Sequence, residues 1–204
     1  MFASAQLYVG GNLGFETSNG KQKAEETQDL QKCFTFEIVP SVGYMFNEKM
    51  GVGLDFGLVF DKDTYPKGSE YQEAILDEDL QKKNTSWLIA PYFRYVFAEI
   101  DNFKFYGDAK ISLGGGKDKV KYDGETNDGD KTFKFGIGIV PGMAYMLTDN
   151  ISMNCQLDIL SLGFNSIKTT TPVEEGDDIV ETHTYFGLHA NYATPIKIGF
   201  FYTF

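Results

Sequence analysis

Hydrophobic and polar residues alternate with a period of two along most of the chain, which is the pattern of β-strands with one apolar face. The alternating segments are bounded by polar stretches that read as turns or loops. They lie at about 6–16, 32–46, 50–61, 85–97, 102–114, 131–147, 150–164 and 183–204. The pattern therefore predicts an all-β protein of about eight antiparallel strands.

The connections between these segments alternate between short and long. We expect short turns at 47–49, 98–101 and 148–150, and long polar loops at 17–31, 62–84, 115–130 and 165–182. Tight turns at one end and long loops at the other are typical of up-and-down β-barrels that cross a membrane. The chain is thus predicted to form a transmembrane barrel with short periplasmic turns and long extracellular loops.

Three related segments, 38–50, 89–97 and 139–151, support a repeated hairpin architecture. Each carries a proline, a tyrosine four residues later, and then an apolar residue before a short polar turn. Proline cannot donate a hydrogen bond to a neighbouring strand. Bulges or local bends are therefore expected at Pro40, Pro91 and Pro141, and another bulge near residues 159–160, where the alternation slips.

The apolar face carries aromatic residues at two heights. Tyrosines lie near the short turns and other aromatics near the long loops: Tyr44, Tyr95 and Tyr145, and Phe34, Phe60, Trp87 and Phe133. Aromatic belts at two levels are typical of a protein that meets both interfaces of a membrane. This arrangement favours lipid outside the barrel.

The opposite face carries glycines and charged residues, which we expect to form a lumen network. Its predicted members are Glu37, Asp55, Arg94, Lys104, Asp108, Lys110, Lys134, Asp158 and Lys197. Acids and bases nearly cancel there, so most of the net charge of −11 belongs to loops, turns and tail. Because buried charges persist only when they are paired, this face predicts a narrow lumen filled by ion pairs.

Composition excludes several classes of function. A net charge of −11 argues against a nucleic-acid partner, and no apolar run approaches the ~20 residues of a membrane-spanning helix. The two cysteines, Cys33 and Cys155, fall on opposite predicted faces, which disfavours a disulfide. The acidic stretch 123–130 lacks the ligand order of a calcium loop, although weak association of divalent cations with the loops stays open.

No catalytic, metal or cofactor site is predicted. The two histidines, His183 and His189, share no spacing with an acid or a serine that defines a catalytic motif. Near the N-terminus, Ala3-Ser4-Ala5 has the small-x-small pattern of a signal-peptidase site. Residues 1–5 are accordingly predicted to be a signal-peptide remnant or an added tail, and 6–204 a single barrel domain.

The last eight residues form a recognisable pattern: a polar residue, any residue, glycine, two of any kind, an apolar residue, any residue, and an apolar or aromatic residue. Its defining positions are Lys197, Gly199, Tyr202 and Phe204. With this ending and the barrel pattern, the chain resembles the outer-membrane protein β-barrel domain family, including small OmpA/OmpX-like barrels of Gram-negative bacteria. The resemblance implies residence in the outer membrane, contact with its lipid and lipopolysaccharide, and recognition of this segment by the assembly machinery.

The expected function is a non-enzymatic one: a barrel with a side-chain-filled polar lumen and a structural, adhesive or recognition role through acidic extracellular loops. A porin-like narrow transporter is the main alternative, although eight strands leave little lumen. A lipocalin-like soluble ligand binder would need the apolar face inside, and a lipid-modifying enzyme would need a catalytic constellation. The extracellular ligand is not identified by the sequence.

Overall fold

The computed structural model describes residues 6–23, 27–71, 74–156, 160–172, 177–190 and 197–204. Within them, no helix is long and apolar enough to cross a membrane. The strands are β1 (Gln6–Lys23), β2 (Thr27–Met45), β3 (Met50–Tyr65), β4 (Glu70–Tyr71), β5 (Ala74–Ile75), β6 (Leu80–Ile100), β7 (Phe103–Tyr122), β8 (Glu125–Met146), β9 (Ile151–Gln156), β10 (Leu160–Thr171), β11 (Ile179–Ala190) and β12 (Lys197–Thr203).

Eight of these strands close into an antiparallel ring. The main sheet runs β11-β10-β8-β7-β6-β3-β2-β1-β12-β9, and β9 pairs in addition with β8. The pairing therefore returns to its start through β1, β2, β3, β6, β7, β8, β9 and β12. β10 and β11 extend the sheet beside β8, and β4 and β5 form a small separate hairpin. The predicted eight-stranded barrel is confirmed.

The strands extend well beyond the apolar segments that predicted them. The ranges 17–31, 115–130 and 165–182, expected to be loops, consist mostly of paired strand within the described residues, and strand also enters both ends of 62–84. β7 and β8 are joined by the two-residue turn Asp123-Gly124, whose φ angles of 49° and 77° are the left-handed values that tight hairpin turns need. The loop prediction was wrong over these residues, because backbone pairing continues where the apolar face has ended.

The two faces of the barrel are sorted as a membrane protein requires. Trp87 and Phe93 point outward and are 46% and 42% exposed, whereas Asp108 points inward and is fully buried. A soluble binder has the reverse arrangement, with charges in water and apolar residues inside. The lipocalin-like alternative is therefore excluded.

Inward-facing aromatic rings lie over glycines of the neighbouring strand. Each ring covers the glycine with which its own residue is paired: Tyr8 over Gly43, Tyr92 over Gly53, Tyr106 over Gly142, and Phe201 over Gly10. A Cβ atom at any of these glycines would collide with the ring. The glycines of the inner face thus make room for large side chains in a narrow interior.

The predicted bulges at the prolines were wrong. Pairing of β2 with β3 is interrupted beside Pro40, and that of β6 with β7 beside Pro91, but the register is unchanged on either side. Pro141 lies where β8 changes its partner from β10 to β9. The paired strands lack some backbone hydrogen bonds near the proline, which has no N–H group to donate.

The register shifts occur elsewhere, between Asn19 and Lys21, Val96 and Ala98, and Lys117 and Lys119. The bulge predicted near 159–160 involves residue 159, which lies outside the described residues, as do Pro195 and the predicted tail 1–5.

Replacing Gly53 with alanine should destabilise the barrel by ~1–3 kcal/mol, because the new methyl group overlaps the Tyr92 ring. Gly107→Ala is the matched control, since a Cβ there meets only Ile139 at an ordinary 3.7 Å. Urea unfolding in detergent micelles measures both. Equal unfolding free energies for the two variants would contradict the packing role of Gly53.

Candidate functional site: the barrel interior

A β-bulge brings the central ion pair into register. Next to the turn, β6 and β7 pair as Ile100 with Phe103, and continuing that ladder would place Arg94 opposite Ala109. The register shift between Val96 and Ala98 moves the pairing by one residue, so Arg94 lies opposite Asp108. A one-residue shift exchanges the faces of a strand. The bulge is therefore what gives these two side chains the same inward face.

Arg94 and Asp108 form a two-pronged ion pair inside the barrel. Arg94 Nε donates to Asp108 Oδ1 and Nη2 to Oδ2, each at 2.8 Å. Gln156 Nε2 donates a further hydrogen bond of 3.1 Å to Oδ2. Parallel N–H···O bonds of this kind are the strong form of an arginine–carboxylate contact. The pair fixes both side chains in the lumen.

Three tyrosines surround the Arg94 guanidinium. Its Cζ lies 3.8 Å from the ring centroid of Tyr106, 5.3 Å from that of Tyr92 and 5.8 Å from that of Tyr8. The hydroxyls of Tyr8 and Tyr92 share a 2.8 Å hydrogen bond. Since Tyr8 is on β1 and Tyr92 on β6, three pairings away around the ring, this bond crosses the lumen.

A second ion pair lies beside the first. Lys110 Nζ donates to Asp55 Oδ2 at 2.8 Å, and Ser41 Oγ donates to Asp55 Oδ1 at 2.6 Å. Lys110 also contacts Gln156 Oε1 at 3.3 Å. Because Gln156 donates to Asp108 as well, it connects the two ion pairs. These two ion pairs therefore form one continuous network.

A third ion pair joins Lys197 Nζ to Glu37 Oε1 at 2.8 Å. Lys197 is on β12 and Glu37 on β2, and both strands pair with β1. The lysine side chain therefore reaches across β1 to meet the carboxylate. Both side chains are largely buried, at 14% and 8% exposed.

The remaining predicted network residues lie apart from these pairs. Lys104 contacts Glu99 at 3.5 Å, and both side chains are more than a third exposed. Lys134 is exposed, and Asp158 lies outside the described residues. The structure thus brings together six of the predicted lumen charges: Glu37, Asp55, Arg94, Asp108, Lys110 and Lys197.

The predicted belt residues lie on the outward face. Those near the long hairpins are 42–49% exposed: Phe34, Phe60, Trp87 and Phe133. At the other end Tyr44 and Tyr95 are exposed, while Tyr145 is half-buried against Phe103, with ring centroids 4.8 Å apart. Of the C-terminal pattern, Tyr202 and Phe204 point outward and pack edge to face. Their roles at the interfaces and in assembly stay predictions.

A cavity of about 150 Å³ lies at the short-turn end of the lumen. Tyr8, Arg94 and Tyr106 line it together with Met45 and Ala144. These residues belong to the layer of the first ion pair, so the cavity reaches the network from the short-turn side.

The acidic hairpin of β7 and β8 gives no metal site in the described residues, where no group of three or more His, Cys, Asp or Glu side chains could hold an ion. Asp128 instead forms a 2.8 Å ion pair with Lys117. The hydrogen bond from Lys117, followed by the charge of the same lysine, lowers the pKa of Asp128. The two described cysteines are free.

Comparison with known proteins identifies the family. The profile described as outer membrane protein beta-barrel domain matches residues 2–193. The chain belongs to this family. The protein is therefore an outer-membrane barrel, as its sequence predicts. No curated protein sequence matches the chain.

Solved structures of similar fold are also outer-membrane proteins. A major outer membrane protein from Thermus thermophilus has a TM-score of 0.57 and 12% identity, covering 98% of this chain and 100% of its own. OprG from Pseudomonas aeruginosa (TM-score 0.45, 16% identity, 99% and 96% covered) and Ail from Yersinia pestis (0.39, 13%, 100% of both) are further matches. The similarity to the Thermus thermophilus structure supports the barrel fold.

Several residues of the interior were missed by the sequence analysis. Tyr8, Tyr92 and Tyr106 surround Arg94, while Ser41 and Gln156 complete the hydrogen bonds of the two ion pairs. All five lie at alternate positions on the charged face, which is the signal that could have found them. They were overlooked because the lumen prediction considered charged residues alone.

Replacing Asp108 with alanine should cost ~3–5 kcal/mol of unfolding free energy, because it leaves Arg94 buried without its carboxylate. Glu99→Ala, which removes the exposed partner of Lys104, should cost less than ~1 kcal/mol. Replacing Arg94 and Asp108 together, with methionine and leucine, should cost less than Asp108→Ala alone. Urea unfolding in micelles tests this order, and a double variant less stable than the single one would contradict it.

Proposed function

We propose that this outer-membrane barrel is a non-enzymatic protein with a closed lumen, which acts in adhesion or recognition through its outer hairpins. The observation that carries the proposal is the layer formed by the Arg94–Asp108 pair and the Tyr8–Tyr92 hydrogen bond. The side chains of this layer extend across the interior.

The size of the barrel supports closure. An eight-stranded barrel has an interior just wide enough for side chains to fill. Here four aromatic rings occupy the inner face, and three buried ion pairs lie on it, one between the neighbouring strands β6 and β7 and two between strands that are separated by one strand. Opening a path would require separating paired charges that are already away from water, which is costly.

A narrow transporter is the second candidate, and the cavity at the periplasmic end favours it. This cavity of about 150 Å³ already gives access to Arg94 from one side. A solute would still have to pass Tyr8, Tyr92 and the ion pairs. We therefore rank transport below a closed lumen.

The outer hairpins are the parts of the protein best suited to contact the surroundings of the cell. β7 and β8 continue as a paired hairpin to Tyr122 and Glu125, well beyond the belt residue Phe133. Paired strands hold their surface side chains in a defined arrangement, which a flexible loop does not. This rigidity supports a recognition role.

The non-enzymatic part of the proposal rests on the surroundings of His183. Its Nε2 lies 3.6 Å from Glu181 Oε2, and both side chains are more than half exposed. General acid–base catalysis needs a positioned group beside a substrate site. A histidine in open solvent on the outer part of β11 does not offer one.

We further propose that β12 is the segment that the assembly machinery recognises. It pairs with β1 on one edge and with β9 on the other, so it completes the ring. Before closure its edges are open, and an open edge can bind another strand by β-augmentation.

Planar bilayer recordings test the closed lumen. The wild-type protein should give no stable channel, whereas replacing Arg94 and Asp108 together with serine should produce a measurable conductance. The same double replacement at Glu99 and Lys104 is the control and should leave the bilayer silent. A wild-type channel whose conductance falls when Arg94 and Asp108 are neutralised would support the transporter instead.

Mass spectra of lipid A test the absence of an enzymatic activity on the surrounding lipid. Cells that overproduce the folded protein should show the same lipid A species as cells that carry a His183→Ala variant at equal abundance. A species that appears only with the unaltered protein would contradict the proposal.

A further inference from the structure

Lysines collect on the outward face of the barrel just beyond the outer aromatic belt. The strand registers place them on the same face as Phe60, Trp87 and Phe133, and toward the hairpin ends. We call this set the lysine face: Lys62, Lys83, Lys117, Lys119, Lys121, Lys131 and Lys168. It is a concentration of positive charge in a chain whose net charge is −11.

Within the lysine face, like charges lie directly opposite one another. Lys62 is paired with Lys83, and Lys83 with Lys119, so three lysines form a row across β3, β6 and β7. Lys117 and Lys131 form a similar pair between β7 and β8. Cβ atoms of directly opposed residues are ~4.5–5.5 Å apart, and like charges there are destabilising. A bound anion would remove this repulsion.

The acidic residues of the same strands mostly point the other way. Asp61, Asp63 and Asp118 lie on the inward face, where Asp118 is buried and accepts contacts from Lys82 and Asn84. They are therefore poorly placed to neutralise the lysine face. Asp128 does lie on the lysine face, because it is paired with Lys119, and it forms an ion pair with Lys117.

The electrostatics at Asp128 agree with a positive surface. Its pKa is lowered chiefly by the hydrogen bond and the charge of Lys117, with further lowering by the charges of Lys119 and Lys131. Because this carboxylate is exposed, solvent screens these interactions strongly. One carboxylate facing several lysines leaves the surface basic.

The height of the lysine face matches the headgroup layer. On β6, Lys83 lies four residues beyond Trp87, which is ~13 Å along a strand at ~3.3 Å per residue and ~9–11 Å along the membrane normal for a strand tilted by ~35–45°. On β7, Lys117 lies two residues beyond Gly115, the partner of Trp87. Belt aromatics mark the boundary of the hydrocarbon, and the polar region extends several ångströms further.

We propose that the lysine face binds the phosphate groups of lipopolysaccharide in the outer leaflet. The occupant follows from charge complementarity, from the height of the lysines, and from the location of the protein in the outer membrane. Bound phosphates would offset the repulsion between the opposed lysines. They would also anchor the barrel in the outer leaflet, beneath its hairpins. The inference is independent of whether the lumen is closed.

Binding of lipid A to the folded protein in nanodiscs of neutral phospholipid tests the proposal. The variant Lys62→Gln, Lys83→Gln, Lys119→Gln should bind fluorescent lipid A more weakly, by about fivefold per lysine and on the order of 100-fold in total. The control variant Lys49→Gln, Lys104→Gln, Lys134→Gln loses the same charge at the short-turn end and on the opposite face of β8, and should bind as the unaltered protein does.

Two further measurements keep the test independent of folding. In neutral detergent without lipid A, the lysine-face variant should unfold at the same urea concentration as the unaltered protein or a higher one, because repulsion has been removed. Lipid A without its phosphates should bind the unaltered protein as weakly as intact lipid A binds the variant. An equal loss of lipid A affinity in the lysine-face variant and the control variant would overturn the proposal. Equal binding of intact lipid A and of lipid A without its phosphates would overturn it as well.

Discussion

In a bilayer, every backbone N–H and C=O group must find its partner inside the protein, and this constraint governs the rest of the structure. A sheet meets it only by closing, which here depends on the pairing of β1 with β12, from Tyr8 with Thr203 to Leu13 with Ile198. Closure assigns one face of every strand to lipid and the other to a narrow lumen. The charged residues of the inner face are then removed from water, so they must pair with one another.

The interior shows how this requirement is met in little space. Rings such as that of Tyr106 fit because the paired position is a glycine, and the ring in turn stacks on the Arg94 guanidinium. The ion pair itself depends on the bulge in β6, which places Arg94 and Asp108 on one face. Packing, register and charge pairing are therefore coupled: a change in any of them leaves a buried charge without its partner.

The fold could be predicted from the sequence because alternation defined the strands and their two faces, and the aromatic belts and the unequal connections indicated that the apolar face meets lipid. The pairing of Arg94 with Asp108 could not, since a ladder counted from the turn leads to Ala109, and nothing in the local sequence marks the bulge. The bulges predicted at the prolines were wrong because the local sequence does not mark the register there either. A strand can omit hydrogen bonds at Pro40 or Pro91 without shifting its register, so a poor strand residue does not identify a bulge.

The hairpin ends were misread as loops because hydropathy was the only periodicity considered. Asp61-Lys62-Asp63 and Lys117-Asp118-Lys119 alternate in the sign of their charge, again with a period of two. In both, the acids point inward and the lysines outward. Beyond the hydrocarbon, an apolar outward face brings no advantage. The two faces of a strand differ there in charge: lysines lie on the outward face, and acids on the face toward the mouth of the barrel. Beyond the membrane, a strand is thus still indicated by a period of two, but in the sign of the charge and not in hydropathy.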